Sequence, residues 1–200
     1  MAFLTEKQLN EMGFAALGNN VLISDKASIY GAHSIKIGNN VRIDDFCVLS
    51  AGDGGIEIGN YVHIAVFALL IGAGKITVSD FAGISSRVSI YSSNDDYSGR
   101  FLTNPTVPAE FTNVAHADVY LGKHAIIGSG SVVLPGVTLN EGVAVGALSM
   151  ITKDCEAFGV YIGSPAKKIK NRKQDLLKLE AEFYGSGNLC NKQQTIKNMI

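Results

Sequence analysis

Tryptophan is absent from the 200-residue chain, proline occurs four times and cysteine three. Cys47, Cys155 and Cys190 are odd in number and far apart, which excludes a disulfide framework or a zinc-finger spacing and fits reduced thiols in a cytoplasm. Neither sign of charge is in excess. The formal net charge is −1 with no basic block, so nothing electrostatic points to nucleic acid or an anionic membrane surface, and any anionic ligand must be held locally. Long apolar runs are lacking too: the longest, IAVFALLIGAG from Ile64 to Gly74, is too short to span a bilayer. The charged N-terminus MAFLTEKQLNEMGF has no signal-peptide core. The chain therefore reads as soluble and cytoplasmic, and 46% hydrophobic residues suffice for one sizeable core.

What is plentiful is glycine, 22 residues without a collagen period, which implies many tight corners. A second regularity is stronger. Residues 121–150, cut as LGKHAI IGSGSV VLPGVT LNEGVA VGALSM, open every block on Leu, Ile or Val, and Ile151 opens the next. The same register runs through Leu17, Ile23, Ile29, then Ile37, Ile43, Leu49, then Ile58, Ile64, Leu70, then Val78, Ile84, Ile90, with short slips between runs. Four places after these openers stand small or β-branched residues such as Val41, Cys47, Ala68, Val88, Ser131 and Val143. A helix turns 3.6 residues at a time and cannot keep a six-residue period on one face. A triangular solenoid can: each hexapeptide gives a short strand with its opener pointing into a narrow interior and a corner beside a small residue, and coils stack through parallel main-chain hydrogen bonds.

The ends leave the pattern. Residues 1–16 form a cap in which TEKQLNEM carries a capping box from Thr5 to Gln8, the solenoid covers 17–169, and apolar positions in KNRKQDLLKLEAEFY give a short helix over 170–184. The tail 185–200 has no period and reads as partly disordered. Between Ile90 and Leu121 the register vanishes. This polar excursion, 91–120, holds two of the four prolines and several aromatics, and a loop of that length inside so regular a repeat marks it as the first candidate for chemistry.

The segments VVLPGVTL, VGALSMITKD and IGSPAKKIK, with the repeat from Leu17 to about Arg172, resemble the hexapeptide-repeat acyltransferases. The resemblance implies a mainly β fold, a left-handed parallel β-helix, although parallel crossovers are generally right-handed. It also implies a homotrimer with active sites between subunits, a projecting loop that helps form them, and acetyl-CoA or another acyl-CoA as co-substrate with no metal. In relatives resembling galactoside acetyltransferase the loop carries a catalytic His. Here Asp95 stands at that position, flanked by Asn94 and Asp96, and Ile126 stands where an aromatic residue is usual. By the same resemblance the backbone at Ser129 and Ala147 lines the pantetheine arm, and Thr152, Lys153, Lys167 and Lys170 sit near the adenosine and its phosphates. Solvated lysines on an outer face are the competing reading.

An Asp in place of His bears on the nucleophile. A hydroxyl needs a base near neutral pKa, whereas a neutral amine attacks a thioester unaided and needs orientation and a later proton acceptor. The chain is accordingly expected to be an acyl-CoA-dependent N-acyltransferase. Gly13 to Ser50 resembles the branch that acylates nucleotide-linked amino sugars of the 4-amino-4,6-dideoxyglucose (viosamine) type for surface polysaccharide. Asp44 and Asp45 are candidates for the sugar, and Arg87, or Arg42, for the diphosphate. Three alternatives stay open: a sugar O-acetyltransferase using His116 or His124, a non-catalytic scaffold or binding β-helix, and a zinc hydratase, for which the His spacing is poor. His33 and His63 read as structural.

Overall fold

The computed structural model describes residues 2–185, so residues 186–200 of the tail lie outside the description. It is a parallel β-solenoid with three walls. The first wall stacks Ala16–Leu17, Ile35–Ile37, Ile56–Ile58, Ile76–Val78, Val119–Leu121 and Thr138–Leu139. In the second, Leu22–Ile23, Arg42–Ile43, His63–Ile64, Gly83–Ile84, Ile126–Ile127, Ala144–Val145 and Gly159–Gly163 define coils one to seven. The third runs from Ser28–Tyr30 to Met150–Ile151.

The six-residue register is the core. From Ile37 to Ile151 every opener is buried, including Ile43, Leu49, Ile64, Leu70, Ile84, Ile90, Leu121, Ile127 and Val133, and openers pair with openers between coils, as in Ile43 with Ile64 and Ile84 with Ile127. Each fully buried Ile or Leu contributes roughly 1.5–3 kcal/mol relative to exposure. The column therefore holds the tube together. Beside it sit Val41, Cys47, Val62, Ala68, Val88 and Val143, also buried, because the interior narrows at each corner.

Corners fall three residues after an opener and take positive φ, with residues larger than the sequence suggested: Phe46, Tyr61, Phe67, Phe81, Arg87, His124 and Leu148. That conformation costs about 1–2 kcal/mol per residue, and ring stacking along the edge offsets part of it. Phe46 stacks on Phe67, and Tyr61 on Phe81 on His124. A polar ladder secures the first edge: the N–H of Asn19 donates to the Asn39 side chain, Asn39 N–H to Asn60, and Asn60 N–H to Asp80. Gly38 belongs to this ladder because a Cβ there would lie 2.7 Å from the Gly59 carbonyl.

The helix Glu6–Glu11 closes the top, with Thr5 and Gln8 in the expected capping box and Leu9 buried. At the other end the sequence reading needs correction. Ala166–Asn171 is a strand, antiparallel to Gly159–Gly163, and among the described residues the helix begins only at 176, so Lys170 is on a strand. Lysines suit such an edge because they discourage further pairing. Among the described residues no helix is long and apolar enough to cross a membrane.

The excursion leaves after Tyr91, where Ser93–Asn94 pairs antiparallel with Ala115–His116. The wall ladder passes it without a break: Ile76 pairs with both Ile56 before it and Val119 after it.

Candidate active site

On the edge between the second and third walls, main-chain hydrogen bonds stack Asp45, Val66, Ser86, Ser129 and Ala147 in one column. Phe67 N–H donates to Asp45 O, Arg87 to Val66, Gly130 to Ser86 and Leu148 to Ser129. Ser129 and Ala147, two of the expected cofactor residues, are thus exposed neighbours on successive coils. Directly above them opens a cleft of about 330 Å3 lined by His63, Ala65, Ser85, Ser86, Ile126 and Ser129, together with Gly83 and Ile84. Ser85 and Ser86 went unmarked in the sequence. A signal was present, since the residue following each second-wall opener is Ala65, Ser85, Gly128 and Gly146 from coil three to coil six, a small-residue track beside the column.

The upper end of the edge is charged. Asp44, 5% exposed, accepts from Arg42 Nε at 2.7 Å and lies 2.9 Å from His63 Nε2. Burial pushes its carboxyl up, but the hydrogen bonds from Arg42 and His63 outweigh this and hold it below the usual carboxylate range. Asp45 is held low chiefly by the Ser24 hydroxyl, with Lys26 nearby. Both expected sugar-binding carboxylates therefore have partners within the chain. Arg87 is exposed and stands 5.9 Å over the Phe67 ring.

The loop residues sit on a different edge, between the third and first walls. Asn94 lies in the two-residue strand. Asp96 accepts from the backbone and hydroxyl of Ser98 and from Asn113, and Ser98 chiefly keeps its carboxyl below the usual range. Asp95 beside it is exposed. Of the candidate histidines, His116 shares a hydrogen bond with Ser93, and His124 is pinned between Phe81 and Glu180 of the C-terminal helix. His63 lines the cleft while its Nε2 stays engaged by Asp44.

At the lower end Thr152, Lys153, Lys167 and Lys170 are exposed. Lys168 forms an ion pair with Glu156. Among the described residues Lys153, Lys167 and Lys170 form none, so their ammonium groups are available to phosphates. The small track, the cleft and these cations suit a long ligand with an anionic end. One subunit does not bring everything together: the loop and the column occupy different edges of the prism. Among the described residues, no three His, Cys, Asp or Glu side chains are grouped as a metal site requires, and burial pushes the Cys47 and Cys155 thiols up to about 11.

No family model matches the chain. It is 62% identical over 183 residues, 92% of its length and 95% of the relative's, to dTDP-4-amino-4,6-dideoxy-D-glucose acyltransferase of Escherichia coli. It superimposes with a TM-score of 0.89 and 48% identity on AntD, an N-acyltransferase from Bacillus cereus in complex with dTDP and 3-hydroxybutyryl-CoA, covering 93% of this chain and 98% of that one. A serine variant of AntD has been solved with dTDP-4-amino-4,6-dideoxyglucose and coenzyme A, at 47% identity and a TM-score of 0.89, covering 92% of this chain and 97% of that one. Other AntD variants are substituted at an aspartate ten residues after that serine.

Proposed function

The chain belongs to the hexapeptide-repeat acyltransferases, in the dTDP-4-amino-4,6-dideoxyglucose acyltransferase branch, and from that premise we propose how its own residues carry the reaction. It is an acyl-CoA-dependent N-acyltransferase whose acceptor is the amino group of a dTDP-linked 4-amino-4,6-dideoxy sugar. The observation that carries the residue assignment is the split site: an exposed column on one edge and, on another, a loop carboxylate without a partner among the described residues. In a homotrimer the loop of one subunit meets the column of its neighbour, and neither edge is complete alone.

The lone pair of the neutral amine attacks the thioester carbon. A C–N bond forms, the carbonyl electrons move onto oxygen and return, and the C–S bond breaks to release the thiolate of coenzyme A. Attack leaves the nitrogen cationic, and its proton passes to Asp95. Ser85 supports this assignment. It precedes Asp95 by ten residues, the spacing of the serine and aspartate substituted in AntD. Ser86 and Asp96 have the same spacing, but Asp96 is engaged in its turn, so Asp96 and Asn94 shape the loop while Asp95 faces the reaction. Ser129 and Ala147 guide the pantetheine arm, and Thr152, Lys153, Lys167 and Lys170 hold the adenosine phosphates. Arg87 takes the sugar diphosphate, and Asp45, with Asp44 behind it, borders the sugar. The product serves surface-polysaccharide or glycoconjugate synthesis in the cytoplasm, where both buried thiols stay reduced.

Release of coenzyme A thiol from acyl-CoA, dependent on dTDP-4-amino-4,6-dideoxyglucose, tests the reading. An N-acylated sugar nucleotide by mass spectrometry is the expected product. Turnover of a hydroxyl-bearing analogue in place of the amine, at equal rate, would overturn N-acylation.

A further inference from the structure

Glycine has two structural reasons to occupy a solenoid: a left-handed φ, or a neighbour too close for a Cβ. From Gly13 to Gly163 every glycine but one has such a reason, with a positive φ or a Cβ position under 3.0 Å from another atom. Gly83 has neither. Its φ lies outside the left-handed range, and a Cβ would touch only Ile126 Cγ1, at 3.8 Å. It also lies within a strand, where glycine is unfavourable and commonly marks the close approach of something else.

The gap it leaves has a defined place. The outward column of the second wall runs Arg42, His63, Gly83, Ile126, so the missing side chain opens a notch two rungs tall, roughly 10 Å, between His63 and Ile126. This notch is part of the 330 Å3 cleft. Asp44 fixes its upper wall by holding His63, Ile126 and Ala65 make it partly apolar, and Ser85 adds a hydroxyl. Lys167 on the terminal hairpin, Ala147 on coil six and Ser129 on coil five mark the proposed path of the cofactor; Ser86 is next along it on coil four, and Gly83 lines the same cleft beside it. Beyond the sulfur of a thioester lies its acyl chain.

We propose that Gly83 is a specificity-determining residue whose missing side chain makes room for a donor acyl chain longer than acetyl. This rests on the acyltransferase reading above.

The test compares acetyl-CoA, butyryl-CoA and 3-hydroxybutyryl-CoA in full-length wild type, Gly83→Ala, Gly83→Val and Gly83→Ala/Ile126→Ala, with dTDP-4-amino-4,6-dideoxyglucose as acceptor. The expected result is a fall of about tenfold or more in the butyryl-to-acetyl ratio of kcat/KM for Gly83→Ala, a larger fall for Gly83→Val, and partial recovery when Ile126 is shortened. Thermal midpoint and elution volume of Gly83→Ala should match wild type. An unchanged donor ratio would sink the notch while leaving the acyltransferase intact. So would an equal loss for all donors with a raised KM for the sugar nucleotide, or an altered oligomeric state, because either assigns the space to another occupant. Wild type inert toward every donor would overturn the functional reading, and the notch with it.

Discussion

At the scale of single residues, the two adjacent loop carboxylates carry the clearest division of labour. Asp96 accepts from the N–H and hydroxyl of Ser98 on one carboxylate oxygen and from Asn113 on the other, and an amide oxygen keeps the two bonds from Ser98. Asp95 is exposed beside it. Asp95→Asn is therefore expected to lower kcat by about 10²-fold or more with an unchanged thermal midpoint. Asp96→Asn should stay within about threefold, since it keeps the Ser98 bonds that form the turn and gives up only the charge and the 3.4 Å contact with Asn113. Steady-state kinetics on both variants decide it, and equal losses would return Asp96 to the reacting centre. The resemblance set Asp95 at the histidine position with Asp96 beside it, but the engagement of Asp96 in its turn lies in contacts made by the folded loop and could not be read from the sequence. Asp44 shows the same limit. Its partner His63 is 19 residues away and becomes a neighbour only when coils two and three stack.

At the scale of elements, the C-terminal helix is tied to the first edge. Glu180 pairs with both Lys123 and His124, and Phe183 and Tyr184 meet the Tyr61–Phe81 stack edge-on. The Lys123 ammonium, more than His124, holds the Glu180 carboxyl below its usual range. A depressed carboxylate stabilises the fold above its unfolded pKa and loses that contribution as pH falls through the folded one. The thermal-midpoint difference between wild type and Glu180→Gln should thus be constant above about pH 5 and close below about pH 4. Differential scanning fluorimetry across that range measures it; a difference independent of pH would mean that the helix is held by its aromatics alone. Its leucine spacing made the helix legible in the sequence. Its start was not, because AKKIKN joins the terminal strand by main-chain pairing that side-chain periodicity does not record.

At the scale of the whole molecule, the hexapeptide period was enough to give three walls and the buried column, since a constant inward position repeats whatever the outer residues do. The site was less legible because its parts are set by which edge each occupies. That separation predicts complementation. Asp95→Asn, defective in the loop, and Ala147→Glu, which puts a carboxylate on the exposed column, should each be nearly inactive as homotrimers. Refolded together in equal amounts they should regain roughly a quarter of wild-type activity, the share of neighbouring pairs that combine an intact loop with an intact column. Mixtures no more active than their components would place both halves of the site within one subunit.

The excursion at 92–118 begins and ends at adjoining points of one edge, where Ala117 N–H donates to Ser92 O at 3.0 Å, and coils four and five pair across it as though it were absent. Such an insert is a cassette: evolution or an engineer can exchange it for one of different length and chemistry without retuning the tube. The group that takes the proton is then changed by swapping a hairpin, while the tube that carries the donor path is inherited whole.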